Sequence, residues 1–324
     1  MAMHAFPHQE LLHAALAALD PSQHTTVTDI LPVPALRRDA WHITVHSRDG
    51  HRDRQRRLIA LSFDRTPDGT DPRALFALAA AAGLPTPRFL SDADDGRSVL
   101  VLCAAPAGTA LDEALRTSSA AWHISAAAVS LARFLARLHG LKPGDLPLEP
   151  ASDPCKDQLD RVRQIAAQSP EPLRSTAAHI LDWISEQLDP APDPVPTLGQ
   201  LRFSSLYLDG GEVTACFGWD RLALRAASND FVSVVFELHA FPVDVRTQFL
   251  AVLQARYLQD GGTSVADAPS RALLAIVERT LFAWSARASR AHSSLEMSDP
   301  ASVAAALEEA AHAARSGLAA LMQL

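Results

Sequence analysis

The hydrophobic pattern of this chain changes period near residue 105, and no other feature constrains its fold as strongly. Before that point Trp41-His42-Ile43-Thr44-Val45 alternates apolar and polar residues, Asp49-Gly50 is a hairpin turn signal and Leu58–Phe63 is a second apolar run. Residues 41–63 therefore read as a β-hairpin. Arg88–Leu90 and Val99–Leu102 read as extended, with a turn over Asp92–Gly96. Helical spacing appears at Leu11–Leu19, ending at Asp20-Pro21, and at Arg73–Ala82, which Gly83, Pro85 and Pro87 close. Beyond Ala107-Gly108 the spacing is helical almost throughout: Leu111–Leu115, Ala121–His139, Gln158–Ile165, Thr176–Leu188, and segments from Phe231 to Leu324 broken around Asp260-Gly261-Gly262 and Ser298-Asp299-Pro300. After the Pro-rich stretch Pro190–Pro196, Leu206–Leu208 and Val213–Trp219 flank the turn Asp209-Gly210-Gly211 and read as a small second hairpin. A chain of 324 residues exceeds what one core usually serves. The expectation is an α+β, two-lobed protein: a small β-rich N-lobe over residues 1–104 and a larger, mainly helical C-lobe over 105–324.

Composition excludes several functions. Hydrophobic residues make up 48% and charged residues 20%, too apolar for a disordered chain. A net charge of −8 gives no field to draw nucleic acid or an anionic membrane, so neither is an expected partner. Cys103, Cys155 and Cys216 lie far apart without Cys-x-x-Cys spacing, which argues against a disulfide framework or structural zinc and for a reducing, cytoplasmic location. Met1–Ala15 lacks a basic segment followed by an apolar run, and nowhere do 18 uncharged apolar residues occur together, so neither an export signal nor a membrane span is expected. The only lysines are Lys142 and Lys156.

Three passages carry a resemblance. Leu198-Gly199-Gln200-Leu201-Arg202-Phe203-Ser204-Ser205, the turn Asp209-Gly210-Gly211, Phe217-Gly218-Trp219-Asp220 and Asp230 follow, without a gap, a pattern H-G-D-L-H-P-G-N, Gly turn, I-D-W-E and a later Asp. Leu131–His139 matches a helix ending in L-A-x-L-H, and Gly83-Leu84-Pro85-Thr86-Pro87 matches G-x-P-x-P. Together they resemble the aminoglycoside phosphotransferase and choline-kinase-like family, over roughly residues 25 to 240, with the block 198–232 at the catalytic position. The resemblance implies a protein-kinase-like fold.

It also implies chemistry that this sequence does not repeat. Phosphoryl transfer is achieved by positioning and charge neutralisation: a lysine on an N-lobe strand, an Asp that takes the hydroxyl proton, and an Asn and an Asp that hold magnesium. The aligned base position is Gln200, the Asn position is Ser205 and the principal metal position is Gly218, while Leu61 or Ser62 occupies the expected lysine position. Loss of a general base alone costs about 10²- to 10⁴-fold in rate. Trp219 and Asp230, structural positions in the family, are kept.

The expectation is thus a degenerate, pseudokinase-like protein that acts by binding a small-molecule ligand or a partner protein in or near the inter-lobe cleft. Gln200, Ser205 and Gly218 are its degenerate positions, Arg202, Arg56, Arg57, Ser62 and Asp220 its binding candidates; no metal is expected, and ATP and magnesium enter only on the alternative. That alternative is an active small-molecule phosphotransferase with relocated groups, the candidates being Asp209, Asp220 and Asp230. A third reading makes the C-terminal helix Ala301–Leu324 a partner or homodimer surface, although an amphipathic helix normally closes its own core. The basic run Arg52–Arg57 reads more simply as solvated charge beside a turn. His51-Arg52-Asp53 spells a kinase triplet but sits in the hairpin turn, without the Asn the motif requires. His8 and His13 lack metal-site spacing, Asp153, Asp157 and Asp160 read as a helix start, Cys103 as a small buried hydrophobe, and His139 as a cap on its helix.

Overall fold

The computed structural model describes residues 6–19, 24–32, 40–49, 52–64, 71–117, 120–142, 154–188, 194–198, 201–290 and 299–321. In chain order its elements are α1 (Gln9–Leu19), β1 (His24–Pro32), β2 (Ala40–Asp49), β3 (Arg52–Asp64), α2 (Pro72–Ala81), β4 (Phe89–Asp94), β5 (Ser98–Ala104), β6 (Thr109–Ala110), α3 (Leu111–Thr117), α4 (Ala121–His139), α5 (Pro154–Ala167), α6 (Leu173–Gln187), β7 (Val195–Thr197), β8 (Leu206–Asp209), β9 (Glu212–Cys216), β10 (Ala223–Arg225), α7 (Ser228–Leu238), α8 (Val243–Gln259), α9 (Ala268–Arg290), α10 (Pro300–Arg315) and α11 (Leu318–Leu321). They form two compact units, Met1–Thr117 with Arg202–Arg221, and Ser118–Leu201 with Leu222–Leu324.

The first unit is built on an antiparallel sheet of order β1-β2-β3-β5-β4. Alternation along each strand sorts side chains to two faces. On one, Trp41, Ile43, Val45, Leu58, Ala60, Leu100 and Leu102 pack with Leu11, Leu12, Ala15 and Leu16 of α1 in one apolar cluster. On the other, Phe63 meets Phe76 of α2 edge-on at 6.3 Å. Asp71 caps α2, accepting the Arg73 N–H at 2.9 Å, and the Arg73 guanidinium spans Asp71 and Asp92, tying the helix start to β4. A second sheet, β6-β8-β9, completes the unit. Gly108 is required where it stands: its φ is 87°, and a Cβ would lie 1.9 Å from the Leu208 carbonyl oxygen.

The second unit is helical, with β7 and β10 paired antiparallel. Helix α4 buries Ile124, Leu131, Leu135 and Leu138, and Gln248 of α8 donates to the Ala121 carbonyl at 2.7 Å. Helix α10 buries Ala304, Leu307, Ala311 and Ala314, so its apolar stripe is covered within its own unit. Among the described residues no helix is long and apolar enough to cross a membrane.

Two sequence expectations shift. The turn between β4 and β5 is shorter than expected, since pairing runs to Asp94↔Val99, and Asp95 closes it by accepting the Arg97 and Ser98 N–H groups. The strand ending the small hairpin stops at Cys216, and Gly218–Arg221 turns as a 3-10 helix. Gly50, His51, Asp153, Gly199 and Gln200 lie outside the described residues, as do the side chains of Asp53 and Asp220.

Candidate functional site

The first unit encloses a cavity of about 470 Å³ against the sheet face opposite α1. Asp29 of β1, Thr44 of β2 and Arg57 of β3 are register partners and form one row across three strands; Leu31 and His42 form the next. The segment 105–110, Glu113 of α3 and Tyr207 of β8 complete the wall. The Ala105 N–H donates to the Arg57 carbonyl at 3.2 Å, fastening that segment to β3. Thr214 Oγ1 donates to the Ala107 carbonyl at 3.1 Å, fastening it to β9. Partial burial, then the charge of Arg57, lower the pKa of His42. Burial, then Asp112 and Glu113, raise that of Tyr207, keeping its phenol protonated at neutral pH.

Of the sequence candidates on β3, Arg57 lines this cavity. Arg56 pairs with Val45 and Ser62 with Leu100, both on the α1 face, so alternation turns these two side chains away from it. Further along the cavity-side face, Ile59, Leu61 and Phe63 are apolar and buried. Leu61, at the expected lysine position, is thus core.

The aligned metal positions do come together. Phe203–Ser205 forms a 3-10 turn, and the Ser205 carbonyl accepts the Phe217 N–H at 3.0 Å, placing Ser205 beside Gly218. The Ser205 hydroxyl donates to the Arg202 carbonyl at 2.7 Å, and around Gly218 a Cβ would meet nothing within 4 Å. By themselves these two positions, one inward-turned hydroxyl and a glycine, do not fit magnesium, a hard cation held by carboxylate oxygens. Among the described residues no group of three or more His, Cys, Asp or Glu could hold a metal ion. Trp219 is fully buried, whereas Arg202 and Asp209 are exposed.

In the second unit Asp230 anchors a buried polar chain. Its Oδ2 accepts the Leu198 N–H and the His139 Nε2–H, each at 3.1 Å. With Nε2 donating, His139 Nδ1 accepts the Tyr257 hydroxyl proton at 2.8 Å, and the Tyr257 oxygen accepts the Thr263 N–H at 3.1 Å. This corrects the reading of His139 as a helix cap: its side chain is 0% exposed and joins α4, α7 and α8. Burial pushes the Tyr257 pKa up. The three cysteines are buried and none is in a disulfide, and burial pushes the Cys103 thiol up to about 12, so it is not a nucleophile.

A family model described as the phosphotransferase enzyme family matches residues 52–274. The chain belongs to this family. Solved structures of similar fold include the GDP complex of wild-type aminoglycoside 2'-phosphotransferase-IIIa, at 12% identity, covering 93% of this chain and 97% of that one, with a TM-score of 0.56. Amicoumacin kinase hAmiN in complex with AMP-PNP, Ca2+ and Ami is similar at 14% identity, over 96% of each chain, with a TM-score of 0.56. A choline/ethanolamine kinase family protein from Mesorhizobium loti is similar at 15% identity, over 92% of this chain and 93% of that one, with a TM-score of 0.53. No curated protein matches the chain. At such identities these likenesses establish the protein-kinase-like fold.

Within this phosphotransferase-family chain, sequence reading missed Asp29, His42, Thr44, Glu113 and Tyr207 as cavity residues. Strand β1 was itself unread, although Thr25-Thr26-Val27-Thr28 is a β-branched run of the kind that favours strands. Glu113 and Tyr207 carry no motif, and only tertiary structure brings them to Arg57.

Proposed function

We propose that this phosphotransferase-family protein is a catalytically degenerate member that binds a small molecule in the cavity of its first unit and does not transfer phosphate. The observation that carries this reading is the apposition of Ser205 and Gly218, the positions where the family's metal would be gripped, which here supply one committed hydroxyl and no side chain. Removing the metal removes the main neutraliser of transition-state charge. The apolar Leu61 at the lysine position and Gln200 at the base position support the same reading. Among the groups that relocation would recruit, Asp230 is spoken for: it is fully buried and holds Leu198 and His139.

The test is incubation of the full chain with ATP, magnesium and a panel of aminoglycosides, choline-like amines and sugars. No phosphorylated product above the enzyme-free rate is expected. Turnover that disappears in the Arg57→Gln variant would overturn the proposal.

A further inference from the structure

The charges around the first unit's cavity select among ligands. Two carboxylates, Asp29 and Glu113, and one guanidinium, Arg57, line it. None of the three side chains makes an ion pair or side-chain hydrogen bond among the described residues, whereas neighbouring Asp112 is paired to Arg116 at 3.0 Å. Asp29 and Arg57 lie two strands apart in one register row, so their backbones are separated by roughly 10 Å. His42 stands beside Arg57, and Thr44 lies between the two charged ends. The cavity therefore has a guanidinium and a neutral imidazole on β3 and β2, acidic groups on β1 and α3, and Leu31 and the ring of Tyr207 as apolar surface.

A nucleoside triphosphate carries several negative charges that a divalent cation and a lysine ordinarily offset. Here the described wall carries a formal excess of one negative charge, so a polyphosphate entering without a cation meets net repulsion. A molecule with one anionic group and one amine offers an opposite charge both to Arg57 and to the two carboxylates, which a polyphosphate does not.

We propose that the cavity binds a compact amphoteric molecule, its single phosphate or carboxylate at Arg57 and His42 and its amine at Asp29 and Glu113, in preference to a nucleotide. This rests on the ligand-binding reading above and narrows it to one chemical class. Each charged contact lies at a partly open surface, so losing one weakens binding severalfold but does not abolish it.

The experiment is calorimetric titration of the full chain with a series of ω-aminoalkyl phosphates of increasing chain length. The matched alkyl phosphate, the matched alkylamine and metal-free ADP serve as controls. The best amphoteric probe is expected to bind roughly five- to tenfold more tightly than either monofunctional control. Arg57→Gln is expected to erase its advantage over the alkylamine. Asp29→Asn combined with Glu113→Gln is expected to erase its advantage over the alkyl phosphate. These side chains are exposed, so the variants should keep the parent melting temperature, which excludes misfolding as the cause. Equal or tighter binding of the alkyl phosphate or of ADP, or no binding by any amphoteric probe, overturns the proposal. Magnesium-dependent ATP consumption by the same preparation would instead overturn the degenerate reading, while the titrations still decide the ligand class.

Discussion

Replacing Tyr257 by Phe isolates one link of the buried chain that ends at Leu198. The ring itself should stay in place: it is fully buried, and Gly262 packs so closely on it that a Cβ there would sit 2.4 Å from ring atoms. The substitution removes one oxygen, and three groups lose a partner: His139 Nδ1, the Thr263 N–H and the Thr263 hydroxyl. Thr263 lies at the surface, where water replaces the lost bonds, but His139 is fully enclosed. An unsatisfied buried acceptor costs about 1–3 kcal/mol, and that is the expected loss. Urea unfolding of the full chain measures it as a lower midpoint at unchanged slope. Thr263→Val is the control: it removes the hydroxyl that contacts Tyr257 at 3.1 Å, keeps the backbone donor, and should cost less than about 0.5 kcal/mol. Equal costs for the two variants, or a Tyr257→Phe cost under about 0.5 kcal/mol, would refute the assignment of His139 Nδ1 as a buried acceptor served by Tyr257.

Gly108→Ala forces a Cβ to within 1.9 Å of the Leu208 carbonyl oxygen at a φ of 87°, so a loss of more than about 3 kcal/mol in thermal or urea unfolding is expected. At Gly218 the space around a Cβ is open, so Gly218→Asp should change stability by less than about 1 kcal/mol; combined with Ser205→Asn it should produce a magnesium-dependent rise in melting temperature with ADP that the parent chain lacks. Arg57 is the second cause of the lowered His42 pKa, after burial, so an NMR titration of Arg57→Gln should show the His42 midpoint moving up toward its ordinary value of 6.5; an unchanged midpoint would separate the two side chains.

Much of the fold was legible because local rules and tertiary packing agree. The alternation in Trp41–Val45 appears as strand β2, with Trp41, Ile43 and Val45 turned to α1, and the apolar stripe through Leu131, Leu135 and Leu138 appears as the buried face of α4. The short strands β6, β7 and β10 were not legible, because two or three residues carry no measurable period and are extended only through their partners. The site divides in the same way. Ser205 and Gly218 were singled out by the resemblance, and the structure bonds Ser205 to Phe217, the residue before Gly218. Arg56 and Arg57 are indistinguishable by type, and only the register of β3 sends one to the α1 face and the other to the cavity. His139 was misread because helix-terminal position is visible in sequence, whereas its bonds to Asp230 and Tyr257 join residues 91 and 118 positions away.

The most direct test of the account is isothermal titration of the full chain with ATP in the presence and absence of magnesium. With a serine and a glycine at the aligned metal positions, magnesium should raise the ATP affinity no more than severalfold, by offsetting part of the polyphosphate charge. An affinity that rises tenfold or more on adding magnesium, about 1.4 kcal/mol of coupling, would mean that side chains of this protein do grip the cation, and would contradict the account.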